Sequence, residues 1–116
     1  MNGFKTPCEQ ILWYIVPAIR KEIARNLIEK HGLSQKDVAN LLGVTPAAIS
    51  QYLSKKRGSF MEIEDEDLLN EIDVSANRIL KNRKILVPEI CRICKLVRKS
   101  KNVKINLPCE WLIWKI

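Results

Sequence analysis

The chain has 116 residues, which allows one domain with a real helical core, or one domain with an appendage, but not two full domains. Twenty Lys and Arg against 13 Asp and Glu give a net charge of +7, which suits a polyanionic partner. A single histidine, no phosphate-binding loop and no nucleophile–base pair argue against an enzyme.

The charge is unevenly spread. Residues 1–60 carry nine basic and four acidic side chains, residues 61–75 none and seven, and residues 76–116 eleven and two. Thr6-Pro7-Cys8-Glu9 reads as a helix start, with Thr6 as cap, Pro7 at the first helical position and Glu9 closing a capping box. This helix runs to about Val16, and Pro17 either kinks it or begins another. The apolar run 11–19 is too short for a bilayer and has no small-residue cleavage site, so the expected setting is cytoplasmic, with no membrane partner. From Pro17, Ile19, Ile23, Leu27 and Ile28 recur at helical spacing, with Arg20, Lys21, Arg25 and Glu29 on the solvent side. His31-Gly32 ends that helix, and His31 is expected at the surface.

Residues 33–57 read as two short helices joined by a tight turn. Ser34 caps the first, with Asp37 completing a capping box, and Val38, Ala39, Leu41 and Leu42 form its apolar face. Gly43 stands where positive φ is needed. Thr45 caps the second helix, Pro46 takes its first position, and Ile49 and Leu53 turn one face to the core. Lys55, Lys56 and Arg57 follow directly.

Through Leu33-Ser34-Gln35, Val38-Ala39, Leu42-Gly43-Val44-Thr45, Ile49-Ser50 and Leu53, this stretch resembles the helix-turn-helix of the lambda-repressor-like (XRE-type) transcriptional regulators. The resemblance implies an all-α fold, with a five-helix domain over residues 17–82. It implies a recognition helix in the DNA major groove. Thr45, Pro46, Ala47 and Ala48 would then lie at base edges, with Ser50 on the same face. Gln51 would reach an adenine in bidentate fashion, and Gln35 would contact phosphate. Lys55, Lys56 and Arg57 would add phosphate contacts. Regulators of this class bind double-stranded DNA as homodimers, so the apolar surface of residues 68–80 and 107–116, including Trp111 and Trp114, is expected near a dimer interface.

Beyond the motif, Gly58-Ser59 makes a break. Residues 65–82 form a strong helix, with Leu68, Leu69, Ile72, Ala76, Ile79 and Leu80 in one stripe. Glu64 to Asp67 at its start and Arg78 and Lys81 near its end complement the macrodipole. Residues 83–87 read as a connector. Pro88 begins a helix to about residue 100, with Arg92, Lys95, Arg98 and Lys99 facing outward. Ser100 to Asn106 reads as a polar turn, and a short helix from Pro108, or alternatively a strand, ends the sequence. The expected organisation is an N-terminal helix (1–16), the helix-turn-helix domain (17–83) and an α-helical C-terminal extension (84–116).

The cysteines are a second lead. Cys91 and Cys94 form a C-x-x-C on one helix, and Cys8 and Cys109 each lie in the first turn of an expected helix. Four thiolates could complete a tetrahedral zinc site or hold an iron–sulfur cluster. Plain buried thiols or a disulfide are the alternatives. An archaeal type of XRE-like regulator with cysteines after the DNA-binding part is similar in this respect. The functional expectation is a sequence-specific double-stranded DNA-binding regulator, with redox or metal input through the four cysteines. The alternative is a protein-interaction module, an antitoxin or adaptor, on the same fold.

Overall fold

A computed structural model describes residues 14–54, 61–100 and 103–105. The architecture is all-α, with five helices among the described residues: α1 (Val16–His31), α2 (Gln35–Leu42), α3 (Pro46–Leu53), α4 (Glu66–Lys81) and α5 (Leu86–Lys99). One small ribbon joins them. Strand β1 (Met61–Ile63) pairs antiparallel with β2 (Val103–Ile105), Met61 opposite Ile105 and Ile63 opposite Val103. Four helices fall within residues 17–82. The fifth lies beyond that range, and part of the expected polar turn 100–106 is the strand β2. The start of the expected first helix and the segment 107–116 lie outside the described residues.

Helix α1 is the centre, touching α2, α3, α4, α5 and β1. A π-type turn at Tyr14-Ile15 leads straight into it, and Pro17 sits in its first turn, where a missing N–H leaves no helical bond unmade. Ala18, Ile19, Ile23, Ala24 and Leu27 are buried as the spacing predicts. Lys21 corrects the expected solvent face: it is only 2% exposed. Its Nζ lies 3.8 Å from the Glu22 carboxylate, itself buried. A helix enclosed by neighbours on several sides buries more than one stripe, and its charges then go in as pairs. His31 is half-buried, with Nε2 out of water and without a hydrogen-bond partner among the described residues.

Helix α4 begins where Asp65 Oδ1 accepts from the amides of Asp67 (2.8 Å) and Leu68 (3.4 Å). Leu68, Ile72, Ala76 and Ile79 are buried as expected, whereas Leu80 is exposed. Helix α5 starts two residues before Pro88, because a 3-10 turn at Arg83–Ile85 feeds directly into it. Pro88 therefore occupies the third helical position, still within the turn whose N–H groups lack partners. Ile90, Ile93 and Val97 join the same core as α1 and α4.

Candidate nucleic-acid interface

The turn between α2 and α3 is built from local chemistry. Ser34 Oγ accepts from the Asp37 amide at 3.1 Å, ending the chain's approach and starting α2. Gly43 closes α2 at φ +66°, with its neighbour's amide, Val44 N–H, donating to Ala39 O at 3.0 Å. A side chain at that φ would be strained, so only glycine turns the chain here at no steric cost. Two residues later Thr45 Oγ1 accepts from the Ala48 amide at 3.1 Å, and Pro46 begins α3. The two caps and one left-handed residue set the angle between the helices.

Val38, Ala39 and Leu42 from α2 and Ala48, Ile49 and Tyr52 from α3 enter the core. Two expectations are corrected. Ala48 is 3% exposed, so its methyl packs inward and has no surface to offer a thymine methyl. Tyr52, not Leu53, fills the inner face of α3 with Ile49, and Leu53 is 37% exposed. The reason is angular. Positions 48, 49 and 52 share a narrow stripe three and four residues apart, and Leu53 lies at its edge.

The opposite face of α3 is open. Thr45, Pro46, Ala47, Ser50 and Ser54 are exposed and Gln51 is half-buried. Ala47, Ser50 and Ser54 thus stand along one side, with Gln51 flanking them, and no long side chain crowds the first turn. Gln35 is exposed at the first position of α2. Beside it, Lys36 is exposed in a turn where the helix macrodipole disfavours a cation. Neither Lys36 nor Ser54 stands out in the sequence. The basic residue in the first turn of α2 and the i, i+4 spacing from Ser50 are the signals that point to them. Lys55, Lys56 and Arg57 lie outside the described residues.

Behind α3, a cavity of about 250 Å³ is lined by Lys21, Arg25, Glu29, Tyr52 and Leu53. Arg25 Nη2 donates to Glu22 Oε2 at 3.3 Å, so the charges of α1 beside α3 are largely neutralised in place.

The cysteines divide. Cys91 is exposed and Cys94 is buried, both free thiols. Burial pushes the Cys94 thiol above its usual pKa; Arg98 lowers it and Cys91 raises it, and the burial effect prevails. Cys8 and Cys109 lie outside the described residues. Among the described residues no three His, Cys, Asp or Glu side chains come together as metal ligands. No described helix is long and apolar enough to cross a membrane.

Residues 25–58 match the family model of the helix-turn-helix proteins, which spans the end of α1, all of α2 and α3, and the basic run after them. These residues form an XRE-like helix-turn-helix of the kind carried by DNA-binding regulators. Comparison with curated proteins and with solved structures finds no match.

Proposed function

We propose that the chain is a sequence-specific double-stranded DNA-binding transcriptional regulator, acting in the cytoplasm as a homodimer. The observation that carries this reading is the two-faced α3. Its inner face is anchored by Ala48, Ile49 and Tyr52, and its outer face presents Ala47, Ser50 and Gln51 with no bulky group in the first turn. A helix held rigidly from behind and short-chained in front can approach base edges closely. Gln51 is the side chain suited to reading a base, by a bidentate pair with adenine. Gln35 and Lys36 serve as phosphate contacts, and the run Lys55-Lys56-Arg57, next in sequence after α3, adds to them.

A zinc ion or iron–sulfur cluster on Cys8, Cys91, Cys94 and Cys109 would add a redox or metal input to this regulator; Cys91 and Cys94 lie three residues apart on α5, and Cys8 and Cys109 lie outside the described residues.

The test is salt-dependent binding to duplex DNA. Neutralising the phosphate backbone releases counterions, so affinity falls steeply with salt. The triple change Lys55→Ala, Lys56→Ala and Arg57→Ala should weaken all duplexes alike. It should also flatten the slope by about 0.9 for each phosphate left without its cation. A wild-type affinity indifferent to salt, or a slope unmoved by the triple change, would refute the reading.

A further inference from the structure

The cavity of about 250 Å³ behind α3 has room for a molecule of a few heavy atoms. One wall is α1, which supplies Lys21, Arg25 and Glu29, spaced four apart and so on one face. The other wall is Tyr52 and Leu53, the last two residues of α3. The three charges are differently placed. Lys21 is buried and held by Glu22 at 3.8 Å. Arg25 gives one N–H to Glu22 Oε2 at 3.3 Å, and its other donors have no partner among the described residues. The Glu29 carboxylate is exposed and makes no ion pair among the described residues. Arg25 and Glu29 stand at i and i+4, where opposite charges on a helix meet, yet they are not joined. The cavity that both line thus offers a cation and an anion one turn, about 6 Å, apart along the helix.

We propose that this cavity binds a small aliphatic amino acid as its zwitterion. Arg25 holds the carboxylate, and Lys21, one turn further from Glu29, adds to the positive end. Glu29 holds the ammonium. The side chain of the amino acid lies against Leu53 and the Tyr52 ring. A carboxylate without an ammonium would set a like charge near Glu29 with nothing to offset it. An amine without a carboxylate would do the same to Arg25. The site therefore selects the molecule that carries both groups. The occupant touches both walls, so it fastens the end of α3 to α1.

The inference goes beyond DNA binding, and its test uses no DNA, so either reading can fail alone. The isotope-labelled full chain is titrated at neutral pH and fixed ionic strength, with amide signals followed by NMR. The probes are L-valine, isovalerate, which lacks the ammonium, and isobutylamine, which lacks the carboxylate. L-Valine should shift the Tyr52 and Leu53 amide signals saturably. It should bind about tenfold more tightly than either truncated molecule, the factor that one charged hydrogen bond supplies. Glu29→Gln should erase the advantage of L-valine over isovalerate, and Arg25→Gln its advantage over isobutylamine. Neither side chain is buried, so both variants keep the fold. Shifts that do not saturate, three molecules bound alike, or advantages that the two variants leave unmoved would overturn the proposal.

Discussion

Ala47 and Ala48 are neighbours of one type, yet they face opposite ways: Ala47 is exposed, and Ala48 packs into the core. Ala48→Gln should therefore destabilise the protein by about 1–3 kcal/mol through overpacking, with a burial cost for the amide. Ala47→Gln should change stability by less than about 0.5 kcal/mol, and should change which duplex is preferred. Urea unfolding of the two variants decides the orientation of α3, and equal losses would put it wrong. Gln51→Ala should leave stability nearly unchanged and relax base preference at one position by about 1–3 kcal/mol, read from binding to a set of single-base operator variants. What the sequence conceals at this scale has one cause. The caps at Ser34 and Thr45 and the glycine at 43 are local, so the turn can be read from adjacent residues. The inward turn of Ala48 and the burial of Lys21 depend on which other helices cover α3 and α1, and those come from far along the chain.

Between helices α4 and α5, the pattern of apolar residues is legible in the sequence, but the polar clamp that joins them is not. Glu89 is buried on α5 and faces three donors. Ser75 Oγ–H donates to Oε1 at 2.7 Å, Arg92 Nε donates to Oε1 at 3.2 Å, and Arg78 Nη1 donates to Oε2 at 3.3 Å. Arg92 also binds the Glu71 carboxylate and backbone carbonyl of α4. The helical wheel places Arg92 beside Lys95 and Lys99, so it reads as an outward residue. Its long side chain instead folds back to acids on α4, which periodicity within α5 cannot show. Burial alone would raise the Glu89 pKa, but the Ser75 hydroxyl and the Arg92 and Arg78 charges outweigh it and hold the carboxyl below its ordinary value. A carboxylate with a lowered folded-state pKa stabilises fully above the unfolded value, about 4.3, and loses that contribution as the pH falls through the folded one. Wild type should thus exceed Glu89→Gln in stability by about 1–3 kcal/mol at neutral pH, with the gap closing in acid. Urea titrations of both proteins from pH 7 downward measure it, and a gap constant with pH would count against the clamp.

For the molecule as a whole, the ribbon and the proposed dimer decide how the C-terminal part is used. The pairing of β1 with β2 brings residues 103–105 back beside the end of the helix-turn-helix, and Ser100 Oγ–H donates to Asp65 Oδ2 at 3.1 Å next to it. Two three-residue strands separated by 39 residues leave no alternation long enough to read, which is why this return is invisible in the sequence. The expected dimer surface at residues 68–80 is likewise reduced: Leu68, Ile72, Ala76 and Ile79 are spent on the internal core, leaving Val74 and Leu80 as the exposed large apolar side chains of that stretch. The apolar surface still available to a partner copy is then sought in residues 107–116, with Trp111 and Trp114, which lie outside the described residues. A single helix-turn-helix buries little DNA surface, so two copies on half-sites one helical turn apart are needed for tight binding. A chain ending at Asn106 keeps the pairing of β2 with β1, so it should fold like the full chain. It should sediment as a monomer and bind a two-half-site duplex far more weakly, while its affinity for a single half-site stays within a few-fold of the parent protomer's. A dimer that survives this truncation would remove the tryptophan segment from the interface, whereas an unfolded product would show that residues 107–116 belong to the core.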